Sequence, residues 1–430
     1  MRKLWLISQI IFITVVLAAF PLLEAVDASP LQDRLYDQYG IDLFGFIEGR
    51  QGWRLQDDPY EKDISISEMR MQLDLSKDAN WGIIKLKGDL VGDHVEEKLY
   101  GELRELNLAF SPLDFMDAKI GRQTLTWGTG DLLFINDLFP KDWKSFFIGR
   151  DDEYLKAPSD AIKTSLFFDL FNIDIVYSPL FNASQYVDGT RLSYWNSMLG
   201  RTAGRDFILD DIERNSYFRD DEYAVRLSKN IGGIELGLYG YNGFWKTPEG
   251  LDAKESKLWY PELSAYGASA RGALWGGIGN LEVGFYDSRN DRDGGDPLVR
   301  NSEIRTLAGF ERELAQDLTG GFQYYLEWMQ EYDTYKSTLP AGTAAKDEYR
   351  HVLTLRLTRL LMNQNLRLSL FTYYSPSDQD GYFRPKVHYK ITDQWAIETG
   401  ANIFFGKDYN TFFGQFQYNT NAYAGIRWSF

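Results

Sequence analysis

The stretch from Gln415 to Phe430 constrains this chain more than any other. Phe416, Tyr418, Thr420, Ala422, Ala424, Ile426, Trp428 and Phe430 form a mostly apolar set, while Gln415, Gln417, Asn419, Asn421, Tyr423, Gly425, Arg427 and Ser429 between them are mostly polar. A period of two marks a strand with unlike faces. Half-buried strands of soluble sheets usually run about 5 or 6 residues, whereas a tilted strand needs about 10 to cross a bilayer. The length therefore favours a strand with one face in hydrocarbon and the other in water. The same alternation returns upstream. Met69, Met71, Leu73 and Leu75 alternate with Glu68, Arg70, Gln72 and Asp74, and Leu353, Leu355 and Leu357 with Val352, Thr354 and Arg356.

Such strands resolve a conflict in the composition. The chain holds 27 Tyr, 28 Phe and 12 Trp, yet its mean hydropathy is −0.36. Alternation hides the apolar half of each strand from a sliding average, and only the run Leu4 to Leu23 is long enough for a membrane helix. That run follows Arg2 and Lys3 and precedes Val26-Asp27-Ala28, so residues 1–28 read as a secretory signal peptide, with an uncleaved anchor as the alternative. A formal net charge of −16 argues against a nucleic-acid partner. The lack of cysteine excludes a disulfide framework, thiolate metal sites and a cysteine nucleophile.

The expected fold class is all-β: a transmembrane antiparallel β-barrel over residues 42–430, entered from a polar lead at residues 29–41. The count of alternating segments is about eighteen, with sixteen as the lower alternative, inside the range of about 8 to 26 for such barrels. The first segment falls at residues 42–51, the fifth at 116–128 and the last at 415–430. Every other connection is a tight turn, such as Phe171-Asn172, Gly232-Gly233 and Asp393-Gln394, while those between are mostly long and polar. This asymmetry fits short turns in the periplasm and long loops outside, and an even count then puts both termini in the periplasm.

Two loops stand out. Residues 129–160 hold Leu132, Leu133, Phe134, Ile135, Leu138, Phe139, Trp143, Phe146 and Phe147 among charged neighbours. Loops this long without structure of their own are usually functional, and these side chains would not be left in water. The segment is expected to fold inward as a third extracellular loop and narrow the lumen; an external lid is the alternative. Residues 182–217 read as a mixed-charge external loop.

The polar phase of the strands supplies the candidate pore lining. Late strands carry a basic wall of Arg350, Arg356, Arg367, Arg384, Lys386 and Lys390, while Asp169, Asp174 and the loop residues Asp151, Asp152 and Glu153 are expected on the opposite side. Facing rows of opposite charge would set a transverse field that selects polar solutes. Lateral pairing between neighbouring strands is the alternative. Arg122 and Gln123 occupy both strand phases where the chain leaves for the inward loop, so at least one is expected to anchor that loop through its carbonyls. No catalytic constellation emerges from His94, His351 and His388, and no nucleotide, haem or zinc-protease motif occurs, so neither an enzyme nor a cofactor is expected.

Two resemblances narrow the class. A chain ending Arg427-Trp428-Ser429-Phe430 resembles bacterial outer-membrane β-barrel proteins, which implies that Trp428 and Phe430 form the signal read by the barrel-assembly machinery. The run Leu103-Arg104-Glu105, Gly121-Arg122-Gln123, Trp127-Gly128 and Asn136-Asp137, with Pro140-Lys141-Asp142, resembles an outer-membrane porin-like family of undefined function and is more distantly similar to alginate-export barrels. The resemblances imply a Gram-negative outer-membrane location among lipid and lipopolysaccharide, and a conduit for a solute or polysaccharide. The expected function is a porin-like channel for passive diffusion of small polar or anionic solutes, with a homo-oligomer left open. The alternative is a barrel that serves as scaffold, sheath or export conduit for a periplasmic partner.

Overall fold

The computed structural model describes residues 29–340 and 343–430; the expected signal peptide lies outside the described residues. The polar lead is a helix, α1, Ser29–Tyr39, tied to the barrel by Gln32 Nε2 donating to the Leu43 carbonyl at 2.9 Å. Eighteen strands follow. They are β1 Ile41–Arg54, β2 Ile64–Ala79, β3 Gly82–Asp93, β4 Lys98–Leu113, β5 Met116–Thr124, β6 Pro158–Phe167, β7 Asn172–Ser178, β8 Glu222–Ile231 and β9 Ile234–Phe244. The second half comprises β10 Glu262–Leu274, β11 Gly277–Ser288, β12 Glu303–Ala315, β13 Leu318–Met329, β14 Tyr349–Leu361, β15 Leu366–Ser375, β16 Asp380–Lys390, β17 Trp395–Gly406 and β18 Asn421–Ser429.

Each strand pairs antiparallel with its chain neighbours, and β18 pairs back onto β1 from Phe46↔Ser429 to Arg54↔Asn421, which closes the barrel. Phe430 completes the seam by exchanging backbone hydrogen bonds with Gly45, both 3.0 Å. Closure leaves no edge strand to be satisfied by lipid. Eight connections at one end are tight turns; at Gly232-Gly233 both residues take positive φ, 60° and 84°, the geometry a two-residue hairpin needs. Longer loops crowd the other end, and two of them carry small hairpins of their own, 194–196 with 201–203 and 250–252 with 257–259.

The burial pattern is that of a soluble protein turned inside out. Outward residues such as Leu86, Leu90, Leu236, Leu238, Leu281, Val283 and Leu355 are exposed, whereas inward Glu48, Arg50, Glu68, Arg70, Gln72 and Asp89 are buried. This is the arrangement of a hydrocarbon-facing wall around a polar interior. Aromatic pairs mark both rims, Phe115 with Phe168 near the turns and Tyr177 with Tyr223 near the loops.

The last segment departs from expectation in its first third. Gly414–Asn419 is a short 3₁₀ helix and the strand starts only at Asn421. Phe416 therefore does not face outward; it is buried against Phe147 at a ring separation of 4.8 Å. A period of two cannot register where a strand gives way to a turn of helix, because the apolar side chains there are spent on a local core. The fifth strand likewise stops at Thr124 rather than 128, releasing Leu125 and Trp127 into the third loop, where both are buried.

Candidate functional site: the loop-filled lumen

The third long connection, residues 125–157, lies inside the barrel. Its short helix α2, Trp143–Ile148, is capped by Asp142, whose Oδ1 accepts from the Ser145 N–H at 2.8 Å, and ends at Gly149 with φ 89°. Asp151 caps a 3₁₀ turn, Asp152–Leu155, in the same way. Helical turns let a loop satisfy its own backbone, so its apolar side chains can turn to the wall. Phe146 and Phe147 pack edge-on against Tyr382, and Phe147 against Phe404, with ring separations of 5.7, 5.7 and 5.6 Å. Ile135, Phe139 and Trp127 join Tyr241, Tyr286 and Trp245 in the same buried cluster.

Polar latches hold the loop on both sides. On β11, Glu282 is a single carboxylate receiving the backbone N–H groups of Thr129, Gly130 and Asn136, the Thr129 hydroxyl and the Asn136 amide, the Gly130 bond at 2.7 Å. Gln323 on β13 accepts from the Asp131 N–H at 2.7 Å and donates to its carbonyl at 2.8 Å, while Tyr373 on β15 donates to the Leu132 carbonyl at 2.8 Å. Around the barrel, Glu68 on β2 binds Arg150 at 2.6 Å, Arg104 on β4 donates to the Glu153 and Lys156 carbonyls at 3.1 and 3.0 Å, and Arg50 on β1 reaches the Gly149 carbonyl. Tyr154 is sandwiched between Arg70 and Arg104, 4.1 and 4.8 Å from its ring centre. The fourth loop, residues 179–221, enters too: Arg191 binds Glu68 at 3.0 Å and also Asp93, both carboxylates buried.

The basic wall is on the strands where the polar phase puts it, but it is neutralised. Arg356 pairs with Asp131, its Nη2 2.7 Å from Oδ1. Arg384 and Lys386 grip Asp152 at 2.9 and 3.0 Å. Arg350 pairs with Asp378 at 2.7 Å, and Lys390 with the exposed Asp393 at 2.8 Å beside a turn. Arg367 is exposed and makes no ion pair among the described residues. Asp151 and Glu153 lie 3.3 and 3.9 Å from Arg427, and Glu153 also meets Lys87 at 3.3 Å. Asp152 thus sits in contact with the basic wall itself, and Asp151 and Glu153 sit against Arg427 and Lys87, so the loop carboxylates do not face that wall from the opposite side of the lumen. Asp174 pairs laterally with Arg226 at 2.6 Å and Lys163 at 3.8 Å. Asp169 is on the exposed 168–171 turn and does not line the interior, because β6 ends at Phe167.

Arg122 and Gln123 do not hold the loop. Arg122 donates to the Leu103 carbonyl at 2.7 Å and pairs with Asp160 at 2.8 Å, while Gln123 donates to the carbonyls of Lys119, Gly121 and Ala161. Both fasten β5 to its neighbours. Anchoring falls to Glu282, Gln323, Glu68 and Asp131, which carry the right strand phase or loop position but no local motif, and to Arg104, which lies in the Leu103-Arg104-Glu105 run.

Burial disfavours ionisation of Asp152, yet Arg384 and Lys386 outweigh it and hold the carboxyl well below the usual carboxylate range. Glu61, in the first loop, behaves oppositely: burial pushes it up to about 7 despite Arg54 and Arg205 nearby. His351 hydrogen-bonds Tyr324 at 2.7 Å, His388 lies 3.9 Å from Glu398, and His94 is on an exposed turn.

No protein-family model matches the sequence and no curated protein matches it. Solved structures do resemble it. OccD3 of Pseudomonas aeruginosa matches with a TM-score of 0.53 at 9% identity, over 91% of this chain and 91% of that one. OccK11 of the same organism matches with 0.53 at 9%, and OccAB1 of Acinetobacter baumannii with 0.53 at 8%, each over 91% of this chain and 96% of the other. At such identities the likeness is one of fold. The apolar outer wall, the polar interior and the eighteen-strand closure make the chain an outer-membrane β-barrel of the porin architecture.

Proposed function

We propose that this barrel is a passive channel for small polar solutes, anions among them, with residues 129–160 forming the constriction. One observation carries the reading: the loop is latched to inward side chains on both sides of the barrel, at Glu282, Gln323 and Tyr373 on one and at Arg50, Glu68 and Arg104 on the other. A segment held that way narrows the path without closing it at the turn end. There the wall keeps a wet surface of laterally paired charges, in the row Asp74, Lys85, Glu105 and Lys119. A sheath around a partner protein would need an open interior, and two loops occupy this one.

The test is single-channel conductance of the refolded protein in a planar bilayer, beside a version lacking residues 131–156. Stable steps that grow severalfold on deletion are expected. Silence from both folded barrels would refute a channel and turn attention to the scaffold role. Because the basic wall is neutralised by Asp131 and Asp152, charge selectivity should respond to those two residues: Asp131→Asn with Asp152→Asn is expected to move the reversal potential toward anions.

A further inference from the structure

Below the start of the inward loop, on the turn-end side, the inner wall of β10–β14 carries a recess of about 70 Å³. Two neighbouring rows of the barrel form it. One runs Arg271, Asn280, Gly309, Gln323 and Thr354, the next Ile278, Glu311, Gly321 and Arg356. Gly321, in the second row, forms the floor of the hollow. A Cβ on Gly321 would stand 3.5 Å from Glu311 Oε2, so that carboxylate lies over the glycine floor.

The charges around it are not alike. Arg356 is spent on Asp131, and Gln323 and Asn280 are spent on the loop, Asn280 through the Thr129 carbonyl at 3.0 Å. Arg271 and Glu311 are exposed inward side chains with neither an ion pair nor a hydrogen bond among the described residues. They stand on β10 and β12, two strands apart, roughly 10 Å between backbones. Elsewhere in this lumen opposite charges two strands apart are paired, as Arg50 on β1 with Glu398 on β17 or Arg70 on β2 with Glu102 on β4. Here a guanidinium and a carboxylate face one polar recess and leave each other unpaired.

We propose that this recess is a binding station for a small zwitterion, its anionic group on Arg271 and its cationic group on Glu311. A singly charged solute satisfies one of the two and leaves the other facing it, so the pair discriminates for dipolar solutes over anions or cations of equal size. The station rests on the channel reading and gives it a substrate class.

The experiment uses glycylglycine as probe, with propionate and propylammonium as singly charged controls, on the full-length folded protein. Binding is measured in detergent by equilibrium dialysis, and block of ionic current is measured in bilayers. Glycylglycine is expected to bind and to block saturably, at least tenfold more tightly than either control. Arg271→Gln and Glu311→Gln should each abolish that preference, and Gly321→Val, which fills the floor, should remove binding while the barrel stays heat-modifiable. Equal affinity for propionate and glycylglycine, or a preference unchanged by Glu311→Gln, overturns the proposal in favour of a plain anion site. Conductance without glycylglycine binding refutes the station and leaves the channel; binding without conductance keeps the station and refutes the channel.

Discussion

At the scale of single residues, two carboxylates in the loops respond oppositely to their surroundings. Glu61 has a side chain only 1% exposed, with Oε1 buried and without a hydrogen-bond partner. Its folded pKa of about 7 exceeds the ordinary value of 4.5, so the folded chain binds the proton more tightly than the unfolded one. Stability from this group is full below the unfolded value and is lost as the pH rises toward 7. Because Glu61 binds Arg205 of the fourth loop at 3.1 Å, cleavage of residues 179–221 by a broad-specificity protease should be slower at pH 5 than at pH 8. Glu61→Gln should flatten the difference; an unchanged pH profile would place the sensitivity elsewhere. Asp152 is the reverse case. Its depressed pKa means that its contribution is present above the ordinary carboxylate value and is lost only as the pH falls below it. Its side chain is 39% exposed, so solvent screening limits the worth of the pairs to about 1 kcal/mol. Asp152→Asn is therefore expected to leave folding intact and to show itself in reversal potential.

At the scale of elements, the third loop depends on one acceptor more than on any other. Glu282 receives bonds from three backbone N–H groups and two side chains, and replacing it leaves those donors facing an apolar cluster. Glu282→Ala should cost about 2 to 4 kcal/mol and raise the open-channel conductance and its noise, read from single-channel records; quiet, wild-type steps would show that the loop is held without it. The strands were legible because Leu353 and Leu355 alternate with Val352 and Thr354 in a single period. The loop's inward course was legible from its apolar content. Its latches were not: Glu282 and Glu68 look like any other inward carboxylate, and their partners lie 146 and 82 residues away. Arg122 misled for the same reason, since adjacency in sequence to the loop says nothing of which carbonyls its guanidinium reaches. Asp169 failed because β6 ends at Phe167, two residues before it, enough to move a side chain from wall to turn.

At the scale of the whole molecule, the two inward loops are one device. Glu68 accepts from Arg150 of the third loop and from Arg191 of the fourth, at 2.6 and 3.0 Å, and is 4% exposed. A buried carboxylate shared by two guanidiniums is destabilised when either leaves, because the remaining pair is no longer charge-balanced within its pocket of Arg70, Asp89 and Asp93. Further ties run between the loops, with Lys144 on Asp188 at 2.7 Å and the Gln185 N–H donating to the Lys141 carbonyl at 2.8 Å. Movement of one loop therefore loosens the other, and the barrel closed by β1 and β18 persists beneath them. A double-mutant cycle of Arg150→Met and Arg191→Met, read by the midpoint of loop proteolysis in denaturant while heat-modifiable mobility reports the barrel, should show a coupling of about 1 to 2 kcal/mol. Additive losses would mean that the loops sit in the lumen side by side. Coupled losses would mean that opening the mouth and widening the constriction are the same event.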